Sequence, residues 1–347
     1  MRLRSGRGPA AIEFQFRLRF SVDSVAARCL GVSRPLQFAC RDDHGAPEVC
    51  LRDFTLRHQG AGPGCREGAE TGCVPDPQPD RFRELLLPAL REAATLARSL
   101  EGRVLNCPKS DEATAVKRAL TEGDTAAQEV LLERLFEEFP EVRLEAEEDT
   151  PGVARFPTSG DAAVVIDPID GTLHSYLEGS GPYSVIVGLA LRGVYRAALV
   201  ALPREGLFFD AAADCGARMS RAGGPPRPAR VDASGSRMLV AHGTPDAVVA
   251  CLCEQGFDPV PASGGAVSVA PLIPGVRAGL RFVPAGRGIS IRGRVGALIS
   301  SEAGAWVRGL RGAPFAEDME SDAPALLVAA TEGDLALLDE ALAAAQS

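Results

Sequence analysis

Apolar and polar positions along this chain repeat with two different periods. Phe82, Leu85, Leu86, Leu90, Ala93, Leu96, Ala97 and Leu100 recur at helical spacing, which predicts a helix, with Pro88 marking a kink or its true start. A second helix is expected from Asp124 through Val130, Leu131, Leu135 and Phe136 to Phe139, with Thr125 and Gln128 as its capping box. Val142, Leu144 and Ala146 alternate as a short strand, and Val164-Val165-Ile166 reads as a buried one. Tyr183–Arg192 and Val194–Leu202 pair as a hairpin around Arg192-Gly193, and Gly206–Asp210 adds a third strand. The later pattern predicts strand 237–241, helix 245–255, helix 265–275, strand 279–283, helix 293–304, strands 305–308 and 325–329, and helix 332–345. Alternation of this kind predicts α/β layers.

The first 79 residues differ. They carry Gly, Pro, Arg and Cys with little periodicity, apart from a strand-like alternation over Phe14–Phe20. Pro75-Asp76-Pro77-Gln78-Pro79 reads as a linker. The Gly/Pro-rich run Arg221–Arg230 marks a second boundary. The expected organisation is therefore an N-terminal extension (1–79), an N-terminal α+β half (80–220) and a C-terminal α/β half (221–347).

Composition narrows the function. With 46% apolar residues in 347, the chain can bury a full core, and a formal charge of −9 argues against nucleic acid or an anionic membrane as partner. No apolar run reaches the ~18–20 residues that span a bilayer, and the basic N-terminus precedes no signal core, so a cytoplasmic protein is expected. An odd count of nine cysteines, irregularly spaced, is a poor disulfide framework. Among the four histidines only His174, close behind the central motif, is retained as a candidate site residue.

That motif is Val164-Val165-Ile166-Asp167-Pro168-Ile169-Asp170-Gly171-Thr172. An apolar strand ends in two carboxylates. Pro168 holds Asp167 extended, Gly171 frees the backbone to turn, and Thr172 brings a hydroxyl to a helix start. Two acids beside such donors suit a divalent cation and a phosphate; a strand end with an Asx turn and a helix cap is the plain alternative. If the strand ending at Glu147 neighbours the central one, Glu147 and Asp167 end on the same sheet edge. Three hard oxygen donors with the Ile169 carbonyl fit Mg2+. Asp124 is placed to hydrogen-bond Thr172 or to cap its helix.

These residues resemble the inositol monophosphatase family, a group of Mg2+-dependent, lithium-sensitive sugar and nucleotide phosphatases. The resemblance rests on Asp-Pro-Ile-Asp-Gly-Thr, the Glu147-Glu148 pair about twenty residues earlier, and Asp124 before that. Gly181-Pro182-Tyr183-Ser184-Val185, Gly216-Ala217, Gly296 to Gly304 and Gly312-Ala313-Pro314-Phe315 match further segments in order. It covers about residues 80–345 and implies a layered αβαβα sandwich of the sugar-phosphatase type. It also implies a Mg2+-dependent phosphomonoesterase acting on a small phosphorylated polyol, sugar or nucleotide, with a homodimer admitted. Glu147, Asp167 and the Ile169 carbonyl would hold a first Mg2+, and Asp167 with Asp170 a second. Gly171 and Thr172 would bind phosphate, and Asp124, Thr172 and Glu147 would position the attacking water. No phospho-enzyme is implied. The similar D-x-D-G-T-L motif of the haloacid-dehalogenase-like phosphatases needs an acid where Pro168 stands, so that reading falls.

Two positions depart from the family pattern. Arg292 stands where its "W-D-x-A-A-G" run carries a metal aspartate, and Gly264-Gly265-Ala266 replaces "G-T-A" at the substrate region. Arg292 implies fewer metals, with the guanidinium binding phosphate directly alongside Gly265 and Ala266. The alternatives are an impaired member that only binds a phosphorylated ligand, or an Arg292 that points away while another acid such as Glu302 compensates, although Glu302 reads rather as a structural residue at a helix end.

Overall fold

A computed structural model describes residues 76–344, apart from 111, 113 and 284–287. The strand expected over Phe14–Phe20 and the cysteine-rich N-terminal segment lie outside the described residues. Helix α1 (Pro79–Leu100) carries proline at its first turn and buries Phe82, Leu86, Leu90, Ala93 and Ala97. Pro88 neither starts nor breaks it: the proline lies on the exposed face, where the carbonyl it leaves without a helical partner is on the solvent side. After the short helix α2 (Ala115–Arg118), helix α3 (Glu122–Glu138) packs on α1.

The cap of α3 differs from expectation. Thr121, not Thr125, is the N-cap, and the box closes on Asp124. The Thr121 hydroxyl accepts from the Gly123 and Asp124 N–H groups, while Asp124 accepts the Thr121 N–H at 2.8 Å. An aspartate three residues after the cap does the work usually given to Glu or Gln. Gln128 is thereby free for another task. Its Nε2 donates to the Glu148 carbonyl at 2.7 Å and its Oε1 accepts the Glu148 N–H at 3.1 Å, tying α3 to the segment that carries the acids.

A seven-stranded sheet runs in chain order: β1 (Arg143–Ala146), β2 (Ala162–Asp170), β3 (Ser184–Leu191), β4 (Val194–Leu202), β5 (Leu207–Ala212), β6 (Ala217–Arg221) and β7 (Arg227–Pro228). β1 and β2 are parallel, and every other neighbouring pair is antiparallel. The second sheet is ordered β11 (Trp306–Arg308), β12 (Ala325–Ala329), β10 (Val276–Phe282), β8 (Arg237–Ala241), β9 (Asp258–Ala262). Helices α1 and α3 cover one face of the first sheet. Helices α5 (Gly264–Ser268) and α6 (Ile291–Glu302) fill the space between the sheets, and α4 (Asp246–Glu254) and α7 (Glu332–Ala344) cover the far side. The layers are αβαβα, as expected. Covered on both faces, β2 and β3 read as unbroken apolar runs.

Several elements depart from expectation. Asp258-Pro259-Val260-Pro261-Ala262 forms β9 despite two prolines, because it is an edge strand with no outer neighbour to bond. β6 follows directly on the turn at Gly216. The helix expected over 265–275 stops at Ser268 and continues only as a 3-10 turn, Ala270–Leu272, which Pro271 occupies.

Candidate active site

The parallel pairing of β1 with β2 sets Ala146 opposite Ile166, so Glu147 and Asp167 leave the carboxyl ends of adjacent strands side by side. Opposite β3 the register slips between Asp167 and Asp170, where Pro168 has no N–H to give a ladder. Gly171 turns the chain at φ 92°, and a Cβ there would come within 2.9 Å of the Ser263 Cβ. The wide helical turn Thr172–Leu177 follows, and its first N–H groups lack intrahelical acceptors.

Asp124 is brought in from α3. Its Oδ1 faces the Thr172 hydroxyl at 3.0 Å, and that hydroxyl also lies 2.8 Å from the Ile169 carbonyl. Burial raises the Asp124 carboxyl to about 7, against the hydrogen bonds from Thr121 and Thr172 that pull it down. Asp167 is buried and held well above its ordinary range, first by desolvation, then by the charges of Glu147 and Asp170. It shares a hydrogen bond with Glu147, while its Oδ1 has no hydrogen-bond partner. Glu148, also raised by burial, is paired to Lys109 at 2.7 Å.

Asp170 is engaged differently. Its Oδ2 accepts the Gly265 N–H at 2.6 Å and the Ser184 hydroxyl at 3.0 Å. The Ala266 N–H goes to the Ser263 hydroxyl that caps α5, at 3.3 Å. The backbone donors of Gly265 and Ala266 therefore already have protein partners. Arg292, in the first turn of α6, reaches across the sheet edge. Its Nη2 donates to the Ala146 carbonyl at 2.8 Å and its Nε to the Ile166 carbonyl at 3.2 Å. The guanidinium bridges the two strand ends from which Glu147 and Asp167 emerge, and its charge lowers the Asp167 and Glu148 carboxyls. An Arg292 turned away, with Glu302 in compensation, is corrected by this geometry. Glu302 accepts the N–H groups of Asp214 at 2.9 Å and Gly216 at 2.8 Å, fastening the turn between β5 and β6.

Among the described residues no three His, Cys, Asp or Glu side chains form a metal-binding group. The arrangement suits one hard cation rather than two. Glu147 and Asp167 offer carboxylates, one oxygen of them buried and unpartnered, and the Ile169 carbonyl retains a lone pair. Mg2+ takes few carboxylates and completes its shell with water and phosphate. Asp170, tied to α5 and β3, is less available for a second ion.

Sequence reading missed Lys109, Thr121 and His242. His242 follows β8, lies 2.9 Å from the Ser175 hydroxyl and stacks on His174 with ring centroids 4.9 Å apart. Burial lowers its pKa. His174 bonds Glu178 at 2.8 Å and does not reach the acids. A cleft of about 600 Å³ lined by residues such as Gln78, Arg81, Phe139 and Asp161 lies at the opposite end of β2 and contains none of these groups.

The model of the inositol monophosphatase family matches residues 79–252, half of the chain, and the chain belongs to that family of phosphatases, whose members generally use Mg2+. Among solved structures, the Thermotoga maritima IMPase shares 19% identity with a TM-score of 0.58, covering 76% of this chain and 98% of its own. The extragenic suppressor protein SuhB of Bartonella henselae shares 17% with a TM-score of 0.60, at the same coverages of 76% and 98%. CysQ of Bacteroides thetaiotaomicron shares 20% with a TM-score of 0.53, over 73% of this chain and 98% of its own. At these identities the likeness is one of fold. No curated protein matches the chain at comparable significance. No helix among the described residues is long and apolar enough to cross a membrane.

Proposed function

We propose that this chain is a Mg2+-dependent phosphomonoesterase acting on a small phosphorylated polyol, sugar or nucleotide. The observation that carries the reading is the Asp124–Thr172 hydrogen bond, which joins residues 48 apart in the chain beside a buried acid whose Oδ1 is unsatisfied. Glu147, Asp167 and the Ile169 carbonyl would hold the cation. When bound, Mg2+ lowers the pKa of water and offsets phosphoryl charge.

The chain's own groups do the rest. Thr172 has one hydroxyl proton and two acceptors near it. With Asp124 ionised, that proton points to the carboxylate and the Thr172 oxygen accepts from the attacking water. Asp124 thus orients and withdraws charge through Thr172, a general-base relay. N–H groups at the start of the turn after Gly171 cradle the phosphate oxygens. Arg292 adds a fixed positive charge on the same edge.

The test is phosphate release from a panel of inositol, sugar and nucleotide monophosphates, with Mg2+ and with EDTA. Release that requires Mg2+ supports the reading. Release from no ester, or release equal in EDTA, removes it.

A further inference from the structure

Arg281 is a further arginine between the sheets, and no carboxylate among the described residues pairs with it. It lies near the end of β10, opposite Leu326 of β12, on the sheet face shared with Gly279, where α5 packs. A Cβ on Gly264 at the start of α5, or on Gly293 in the first turn of α6, would overlap its guanidinium. The two glycines make the slot that admits the side chain. Inside that slot Nη1 is buried and has no hydrogen-bond partner, and Arg281 makes no ion pair among the described residues. Other buried arginines here are bonded: Arg83 to Asp80 and the Gly216 carbonyl, Arg294 to the Ile289 and Asp318 carbonyls. Arg281 moreover sits close enough to Arg294 to lower its pKa further, after burial.

A part-buried cation without an anion is an expensive arrangement unless a ligand completes it. Its surroundings add to the positive potential, because the first turn of the 12-residue α6 passes over it and backbone N–H groups point out of that turn. Its position ties it to the candidate site. The residue after Gly264 bonds Asp170, and the residue before Gly293 is Arg292, which bridges the strand ends beside Asp167. Arg281 therefore lies between Gly264, next to the residue that bonds Asp170, and Gly293, next to Arg292, on the α5–α6 side of the candidate site.

We infer that Arg281 binds a second anionic group, carboxylate or phosphate, on the substrate, so that the preferred substrates are phosphate esters carrying two anions. The inference rests on the phosphatase reading for its site but not for its measurement. Guanidinium forms paired hydrogen bonds to either anion. A charge-assisted contact of this kind corresponds to roughly ten- to a hundredfold in affinity.

Binding is measured by calorimetry on the intact protein, and turnover by phosphate release. The probes are glycerol 3-phosphate against 3-phosphoglycerate, which adds a carboxylate, and glucose 1-phosphate against glucose 1,6-bisphosphate, which adds a phosphate. The expected result is tighter binding of at least one doubly anionic probe, by about tenfold or more, acting through KM rather than kcat. The pair that shows the preference identifies the anion. In Arg281→Gln the ratio within that pair falls to near one, and Arg281→Lys retains part of it. Equal binding within both pairs in the natural protein overturns the inference. So does a preference that survives in an Arg281→Gln protein melting at the natural temperature. An Arg281-dependent preference without hydrolysis of any probe removes the phosphatase reading and leaves the anion site standing.

Discussion

The two sides of the candidate site are built from opposite materials. The edge of the first sheet presents acids: Glu147 and Asp167 on neighbouring strand ends, Asp170 beyond the bulge, Asp124 behind Thr172. The side formed by β10, α5 and α6 presents cations and glycines: Arg281, Arg292, Gly264, Gly293. On the acid side, burial drives the carboxyls of Asp124 and Asp167 upward, so these groups exist as anions only at a cost that a cation would offset. On the basic side, Arg281 has no carboxylate partner among the described residues. Each side is electrostatically incomplete in the opposite sense. The proposed phosphate ester with a divalent cation would complete the first, and the inferred second anion the other.

The largest effect is expected where the acid side is cut at its centre. Asp167→Asn removes half of the proposed cation pair and lowers phosphate release by about a thousandfold or more, with loss of Mg2+ uptake in calorimetry. Activity that persists would show that the acids serve the fold alone.

Asp124→Asn comes next, with a fall of about a hundredfold. The active form has Asp124 ionised, so the natural rate should climb as pH rises through about 7, and the variant should lose that climb. Stability runs the other way. Asp124 titrates near its ordinary 3.8 when unfolded and at about 7 when folded. The folded state thus binds the extra proton in that window, and stability declines as pH rises across it. Above pH 7 the ionised buried group costs about 4 kcal/mol. In EDTA at pH 8 the asparagine variant should therefore resist urea better than the natural protein. A variant that is less stable at that pH would place Asp124's burial cost elsewhere.

Arg292→Gln sharpens the boundary between the sides. Calorimetry on the natural protein should count one Mg2+ per chain. The variant, which loses a positive charge beside Asp167 and two bonds to strand-end carbonyls, should bind Mg2+ several-fold more tightly while unfolding about 1–3 kcal/mol more easily. Two ions in the natural protein would contradict the single-cation geometry. The smallest effect is expected far from both sides. Glu302→Ala frees the N–H groups of Asp214 and Gly216 and should reduce stability by about 1–2 kcal/mol, leaving kcat/KM within about twofold because Glu302 touches neither acids nor Arg281.

Much of the acid side was legible before any coordinates. A strand of consecutive β-branched residues, a proline that cannot pair, a glycine forced to φ 92° and a threonine at a helix start are local statements, and local sterics decide them. The helix cap shows where local reasoning slipped. Thr125 with Gln128 satisfied the expected spelling, yet Thr121 with Asp124 made the box, and Gln128 bonds Glu148 of another element instead.

The basic side was nearly illegible. Arg281 carries no motif, and its slot is cut by glycines 17 residues before it and 12 after it. Glu302 could be read as structural at a helix end, but the backbone it holds, at Asp214 and Gly216, is set by the tertiary fold. By itself the sequence determined the layered class, the run of strands and the acids at the end of β2, since periodicity, proline and glycine act within a few residues. Only the tertiary structure decided which charges have partners, because burial and pairing depend on groups brought together from far along the chain.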